Sequence, residues 1–188
     1  MARSRRTDAL AGIRVIEFAN YLPGPLCAKH LADLGADVTK IEPPGGDPYR
    51  EFGPRDPTGR PIAFEAINAG KELVRIDAKT PEGAKAMREL TAGADVFIDG
   101  FRPGVAARLG LSFEELAARS HGLIYCSITG FGQWGSRRDQ TGHDATYAAV
   151  AGVLDATRAT PDSDPVRPGL HAGDHLAAPW LHSRLWRS

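Results

Sequence analysis

Two glycine-bounded segments carry the residue types best suited to chemistry: Gly142-His143-Asp144 and, about thirty residues later, Gly173-Asp174. An imidazole and a carboxyl group brought together from separate turns can take a proton off one face of a carbon and return one to the other. The same carboxylate can instead attack a thioester as a nucleophile. His171 and His175 flank Asp174 at the i, i+4 spacing of a helical zinc pair. Gly173 lies between them and no third ligand stands at a suitable spacing, so no metal site is expected. Cys27 and Cys126 lack paired spacing or an activating motif, and read as reduced core thiols of a cytoplasmic protein.

The elements that must position these groups alternate between two periodicities. Ile13–Phe18, Asp37–Ile41, Glu72–Asp77, Asp95–Asp99 and Leu123–Ile128 are short apolar runs rich in β-branched residues, the pattern of buried strands. Between them, Leu26–Leu34 has helical spacing after Pro23-Gly-Pro25 and ends at Gly35. Thr80 caps a helix over Pro81–Leu90. Ser112 and Glu115 form a capping box for a helix to Arg119. Pro43–Pro61 reads as a long loop, functional or mobile. Strand and helix in alternation predict an α/β fold: a Rossmann-like, open, mostly parallel sheet with helices on both faces.

Composition narrows the partners. Lysine plus arginine equals aspartate plus glutamate at 23 each, so a nucleic-acid partner has no electrostatic support. No apolar run reaches the ~20 residues that span a bilayer, and no membrane partner is expected. Residues 1–9 begin with a basic stretch lacking an apolar segment behind it, and read as a flexible tail.

In an open parallel sheet, ligands bind beyond the carboxyl ends of the strands. Ala19–Pro25, Lys40–Pro44, Gly100–Gly104 and Thr129–Gly135 lie there. No G-x-G-x-x-G follows the first strand, and no phosphate-binding loop of the G-x-x-x-x-G-K-[ST] type occurs, so neither a dinucleotide nor nucleotide hydrolysis is indicated. Lys40, Lys71 and Arg102 fall at or near strand ends, where they suit a phosphate-rich ligand.

With these segments in hand, the chain resembles the class III coenzyme A transferase family (CaiB/BaiF), which includes formyl-CoA transferases and α-methylacyl-CoA racemases. The resemblance runs from Leu10 to Asp174. It rests on Gly12-Ile-Arg-Val-Ile-Glu-Phe18, Pro23-Gly-Pro25, Leu31-Ala-Asp-Leu-Gly-Ala-Asp-Val38, Lys40-Ile-Glu-Pro43, Asn68-Ala-Gly-Lys71, Phe101-Arg-Pro-Gly-Val105 and Gly130-Phe-Gly-Gln133 in that order. It implies an acyl-CoA thioester as substrate, coenzyme A as part of that substrate with no permanently bound cofactor, and a homodimer of subunits threaded like linked rings. It further implies that Asp174 matches the family's aspartate and His143 the racemases' histidine. The coenzyme would lie against Lys40, Lys71, Arg102, Pro103, Gly104, Gly130, Phe131 and Gly132.

His143 favours a 2-methylacyl-CoA racemase working through an enolate, with a backbone N–H at the start of the helix after Asp174 holding the enolate oxygen. The alternatives are a CoA transferase with Asp174 as nucleophile, and an inactive CoA-binding fragment. Relatives of this kind run to about twice this length, so residues 10–174 are expected to form part of the large domain, with the small domain absent. Residues 175–188 read as an aberrant tail from a truncated or frame-shifted reading frame, in which Pro179 breaks the helix. The chain alone is then expected to leave the sheet uncovered on one face and to be weakly active or inactive.

Overall fold

The computed structural model describes residues 8–185. The expected N-terminal tail lies, through residue 7, outside the described residues, as do residues 186–188 of the C-terminal segment. Five strands, β1 (Arg14–Phe18), β2 (Asp37–Glu42), β3 (Glu72–Arg75), β4 (Val96–Asp99) and β5 (Ile124–Ser127), form one parallel sheet in the order β3-β2-β1-β4-β5. The helices are α1 (Pro23–Asp33), α2 (Ile62–Asn68), α3 (Pro81–Thr91), α4 (Val105–Arg108), α5 (Phe113–Ala117), α6 (Asp144–Val150) and α7 (Ala172–Leu185).

Side chains alternate across the strands, so neighbouring residues feed opposite faces. Val15, Val38, Val96 and Ile98 pack with Cys27, Ala28 and Leu31 of α1 and with Ala178 of α7. Ile16, Phe18, Ile41 and Phe97 pack with Met87 of α3, Ala106 of α4 and Leu116 of α5. Burial on both faces explains why the strands read as continuous apolar runs rather than alternating ones. Each face of the sheet has a buried apolar cluster against helices, whereas edge strand β3 stays largely exposed, Leu73 included.

Local signals set the helix boundaries. Thr80 Oγ1 accepts the Gly83 N–H at 3.0 Å, and Pro81 starts α3 where its missing N–H costs nothing. Ser112 and Glu115 close a reciprocal capping box at the head of α5. Helix α1 begins at Pro23 rather than Leu26, taking both prolines into its first turn. The long proline-rich segment contains a 3₁₀ turn at Pro48–Glu51, and α2 follows it directly, an element the sequence pattern does not announce.

The larger correction concerns Pro179. Helix α7 runs through it to Leu185. A mid-helix proline removes one hydrogen bond and crowds the carbonyl one turn back, at roughly 3 kcal/mol. Packing outweighs that loss: α7 lies along α1, and Ala178, next to the proline, is fully buried in the core on that face.

Strand order reverses at β1, which has β2 on one side and β4 on the other. That reversal opens a crevice between the loops leaving β1 and β4, the standard ligand position in such sheets.

Candidate active site

A cleft of about 560 Å³ occupies that crevice. Its walls come from the β1–α1 loop (Asn20, Tyr21), the β4–α4 loop (Phe101, Arg102, Pro103), the segment after β5 (Thr129, Gly130), the approach to α6 (Arg138, His143) and the head of α7 (Gly173, Asp174). His143 and Asp174, singled out from the sequence, thus open onto one cavity.

His143 is the N-cap of α6, its backbone N–H donating to Thr146 Oγ1 at 3.4 Å. Its ring meets Tyr21 edge-on, with centroids 5.9 Å apart. Tyr21 is the one non-glycine residue with positive φ (+64°) among the described residues. Asp47 stabilises that left-handed turn by accepting the Tyr21 N–H at 3.1 Å. Asp174 sits in the first turn of α7. Burial raises its carboxyl above the usual carboxylate range; the charge of Asp144 adds to this, and His171, His143 and His175 act against it.

Gly130 and Gly142 make room for a ring rather than for a ligand. A Cβ at Gly142 would stand 2.7 Å from Tyr147 Cε1, and one at Gly130 would stand 2.5 Å from the same atom. Tyr147 fills this gap and donates its hydroxyl proton to the Gly142 carbonyl at 2.7 Å. Phe131 packs edge-on against Tyr147 at 5.4 Å, so it supports the wall from behind. Gly132 is a turn residue, with φ +86° and its N–H on Thr129 Oγ1 at 2.9 Å. Gly104, at φ +81°, is the N-cap of α4. Of the residues expected to hold the coenzyme, Arg102, Pro103 and Gly130 therefore face the cleft directly.

Lys40 and Lys71 require correction. Both side chains are fully buried. Lys40 Nζ binds Glu17 Oε1 at 2.8 Å, Asp47 Oδ2 at 2.9 Å and the Ala19 carbonyl at 2.6 Å. Lys71 Nζ binds Glu17 Oε2 at 2.7 Å, the Pro25 carbonyl at 2.7 Å and Asn68 Oδ1 at 2.8 Å. Each ammonium has spent its donors inside the protein, which leaves none for a phosphate. Burial opposes the charge of Lys40, but Glu17 and Asp47 outweigh it and hold the group above the usual lysine range. For Lys71 burial wins, and its ammonium is pulled down to about 8 despite Glu17.

The head of α7 offers a second correction. The Gly173 and Asp174 N–H groups donate to Asp144 Oδ1 at 2.7 and 3.3 Å, and the His175 N–H donates to the His171 carbonyl at 2.9 Å. The amides expected to hold an enolate oxygen are thus occupied. Burial pushes the thiols of Cys27 and Cys126 up to about 12 and about 11, so neither is a nucleophile near neutral pH.

Sequence reasoning gave no site role to Asp144, Tyr21, Arg138, Tyr147 or Asp47. Asp144 had one usable signal, its place between His143 and a helix; Arg138 sits in a polar run that announces no element.

The fold and cleft define an open-sheet α/β protein whose cleft at the strand-order reversal is lined by an aspartate, a histidine and two guanidinium groups. The model of CoA-transferase family III matches residues 10–183, and the chain belongs to that family. The match continues past Asp174 into α7. The succinyl-CoA–D-citramalate CoA-transferase of Chloroflexus aurantiacus is 40% identical over 179 residues, covering 95% of this chain and 44% of that protein. The succinate–glutarate CoA-transferase of Agrobacterium fabrum is 42% identical over 176 residues, covering 90% and 44%. The crystal structure of a CaiB/BaiF family protein from Brucella suis superimposes with a TM-score of 0.86 at 37% identity, covering 97% of this chain and 50% of that one. The chain therefore spans less than half the length of these curated relatives. Among the described residues, no helix is long and apolar enough to cross a membrane.

Proposed function

We propose that this chain carries the nucleophile of a CoA-transferase, moving coenzyme A from an acyl-CoA to a carboxylic acid. The observation that carries the reading is Asp174: a half-buried carboxyl group at the head of a helix, opening onto the cleft at the strand-order reversal. An Asp174 oxygen attacks the thioester carbonyl, the C–S bond breaks, and coenzyme A leaves as a thiolate, giving a mixed anhydride. The thiolate then attacks the Asp174 carbonyl carbon, releasing the donor as its carboxylate and leaving coenzyme A on Asp174 as a thioester. An acceptor carboxylate reverses both steps and departs as the new acyl-CoA.

The guanidinium groups of Arg102 and Arg138 line the same cleft, which suits the phosphates of coenzyme A or a second carboxylate on the substrate. With relatives named for succinyl-CoA, the donor proposed is a short dicarboxylyl-CoA. Racemisation, favoured by His143 in the sequence, remains the second reading because His143 lines the cleft together with Asp174. The relatives' names support transfer over it. Apolar side chains left exposed at Val150, Val166, Leu170 and Leu176 support association with further polypeptide, here proposed as a homodimer.

Supplying succinyl-CoA with glutarate separates the two chemistries. Transfer produces glutaryl-CoA. Racemisation instead exchanges the α-hydrogen of a 2-methylacyl-CoA in deuterated water, and loses that exchange in His143→Ala. Exchange without transfer would overturn the proposal.

A further inference from the structure

Asp144 opens α6 directly after His143, yet its side chain serves another helix. The residue is 5% exposed. Its Oδ1 accepts the Gly173 N–H at 2.7 Å and the Asp174 N–H at 3.3 Å. These amides belong to the first turn of α7, where a helix has no internal acceptors to offer. A Cβ at Gly173 would stand 3.2 Å from that same oxygen, a tight contact that would press on the carboxylate, so glycine there eases its approach. The nucleophile's turn is thus held by a buried charge on a separate element.

We propose that Asp144 is the positioning residue for Asp174: its two amide hydrogen bonds fix the Gly173-Asp174 turn, and its negative charge favours the uncharged, acylated state of the Asp174 side chain. The chemical meaning of this inference rests on the CoA-transfer reading; its geometry does not. Two neighbouring carboxylates repel, and the repulsion is relieved when Asp174 becomes an anhydride and then a thioester, both neutral. Other groups face Asp174 as well. His143 at the head of α6 and His171 and His175 around the head of α7 oppose the effect of Asp144. Tyr49 from the 3₁₀ turn and Tyr147 from α6 sense its charge, their phenols being raised by burial first and by Asp174 second.

The test uses the whole 188-residue chain and two variants that keep these neighbours. Asp144→Asn retains an oxygen able to accept both amides but removes the charge; Asp144→Ala removes both. By NMR, the Asn variant is expected to keep the Gly173 and Asp174 amides protected while the Asp174 carboxyl titrates at lower pH than in the parent. In the Ala variant, hydrogen exchange at those two amides should accelerate about tenfold or more, the worth of a charge-assisted hydrogen bond. An Asp174 titration midpoint unmoved in the Asn variant would overturn the inference, and that comparison holds even if Asp144→Ala does not fold. Unchanged amide exchange in a folded Ala variant would overturn it too. Incubation with succinyl-CoA and mass analysis of the Asp174 peptide keeps the two proposals apart. Amides and titration behaving as stated, with no coenzyme A ever appearing on Asp174, would support the clamp and sink the transfer reading.

Discussion

The two halves of the sheet's carboxyl edge use the same residue types to opposite ends. On the β1–β2–β3 side, Asp47, Lys40, Glu17 and Lys71 form a chain of alternating charges joined by three ion pairs, and all four side chains are fully buried. On the β4–β5 side, Arg102, Arg138, His143 and Asp174 line an open cleft. A cation at a strand end is therefore not in itself a ligand site. What decides is whether buried carboxylates have already claimed it. The closed half still contributes to the open one: Lys40 holds the Ala19 carbonyl and Asp47 holds the Tyr21 N–H, so the buried charges shape the loop that faces His143.

The contrast can be broken at several points. The largest effect is expected in the open half: Asp174→Asn should reduce formation of any enzyme-bound coenzyme A adduct by roughly three orders of magnitude or more while leaving the urea midpoint nearly unchanged. In the closed half the order inverts. Glu17→Ala strips both ammonium groups of their shared partner and should cost about 3–5 kcal/mol of stability, read by urea unfolding. Equal losses of stability in both variants would erase the distinction between the halves.

Ligand affinity sharpens the comparison further. Arg102→Ala should weaken coenzyme A binding about threefold to tenfold by calorimetry, as expected for one solvent-facing charge contact. Lys40→Met, in any fraction that folds, should bind like the parent. The reverse result would restore the phosphate role that the sequence assigned to Lys40.

The smallest effect is a pH dependence of Lys71. Its folded-state value of about 8 lies below the ordinary lysine range, so between about 8 and the unfolded value the unfolded chain binds more protons. Stability from this group therefore rises with pH across that window, relative to Lys71→Met. A urea midpoint that tracks the variant's throughout would contradict the assignment.

Much of this fold is legible from local signals. The five strands follow from runs such as Val15-Ile16 and Val96-Phe97-Ile98, and the helix starts from Thr80 and Ser112, because these depend on neighbours in sequence. The pairing of Lys40 with Glu17 does not, since it depends on β1 and β2 lying side by side in a register that sets those residues together. Helix α2 is too short for a firm periodicity. At Pro179, local propensity gives the wrong answer: α7 runs through the proline, packed along α1 with Ala178 in the core. His143 and Asp174 were visible as residue types, but the clamp between Asp144 and the α7 turn spans 29 and 30 residues and emerges only in three dimensions.

Whether Asp174 becomes covalently linked to its substrate decides the matter most directly. Quenching the protein with hydroxylamine during incubation with succinyl-CoA, then sequencing the Asp174 peptide by mass spectrometry, should find a hydroxamate at Asp174 that is absent from Asp174→Asn. An unmodified Asp174, alongside α-hydrogen exchange that disappears in His143→Ala, would contradict the account.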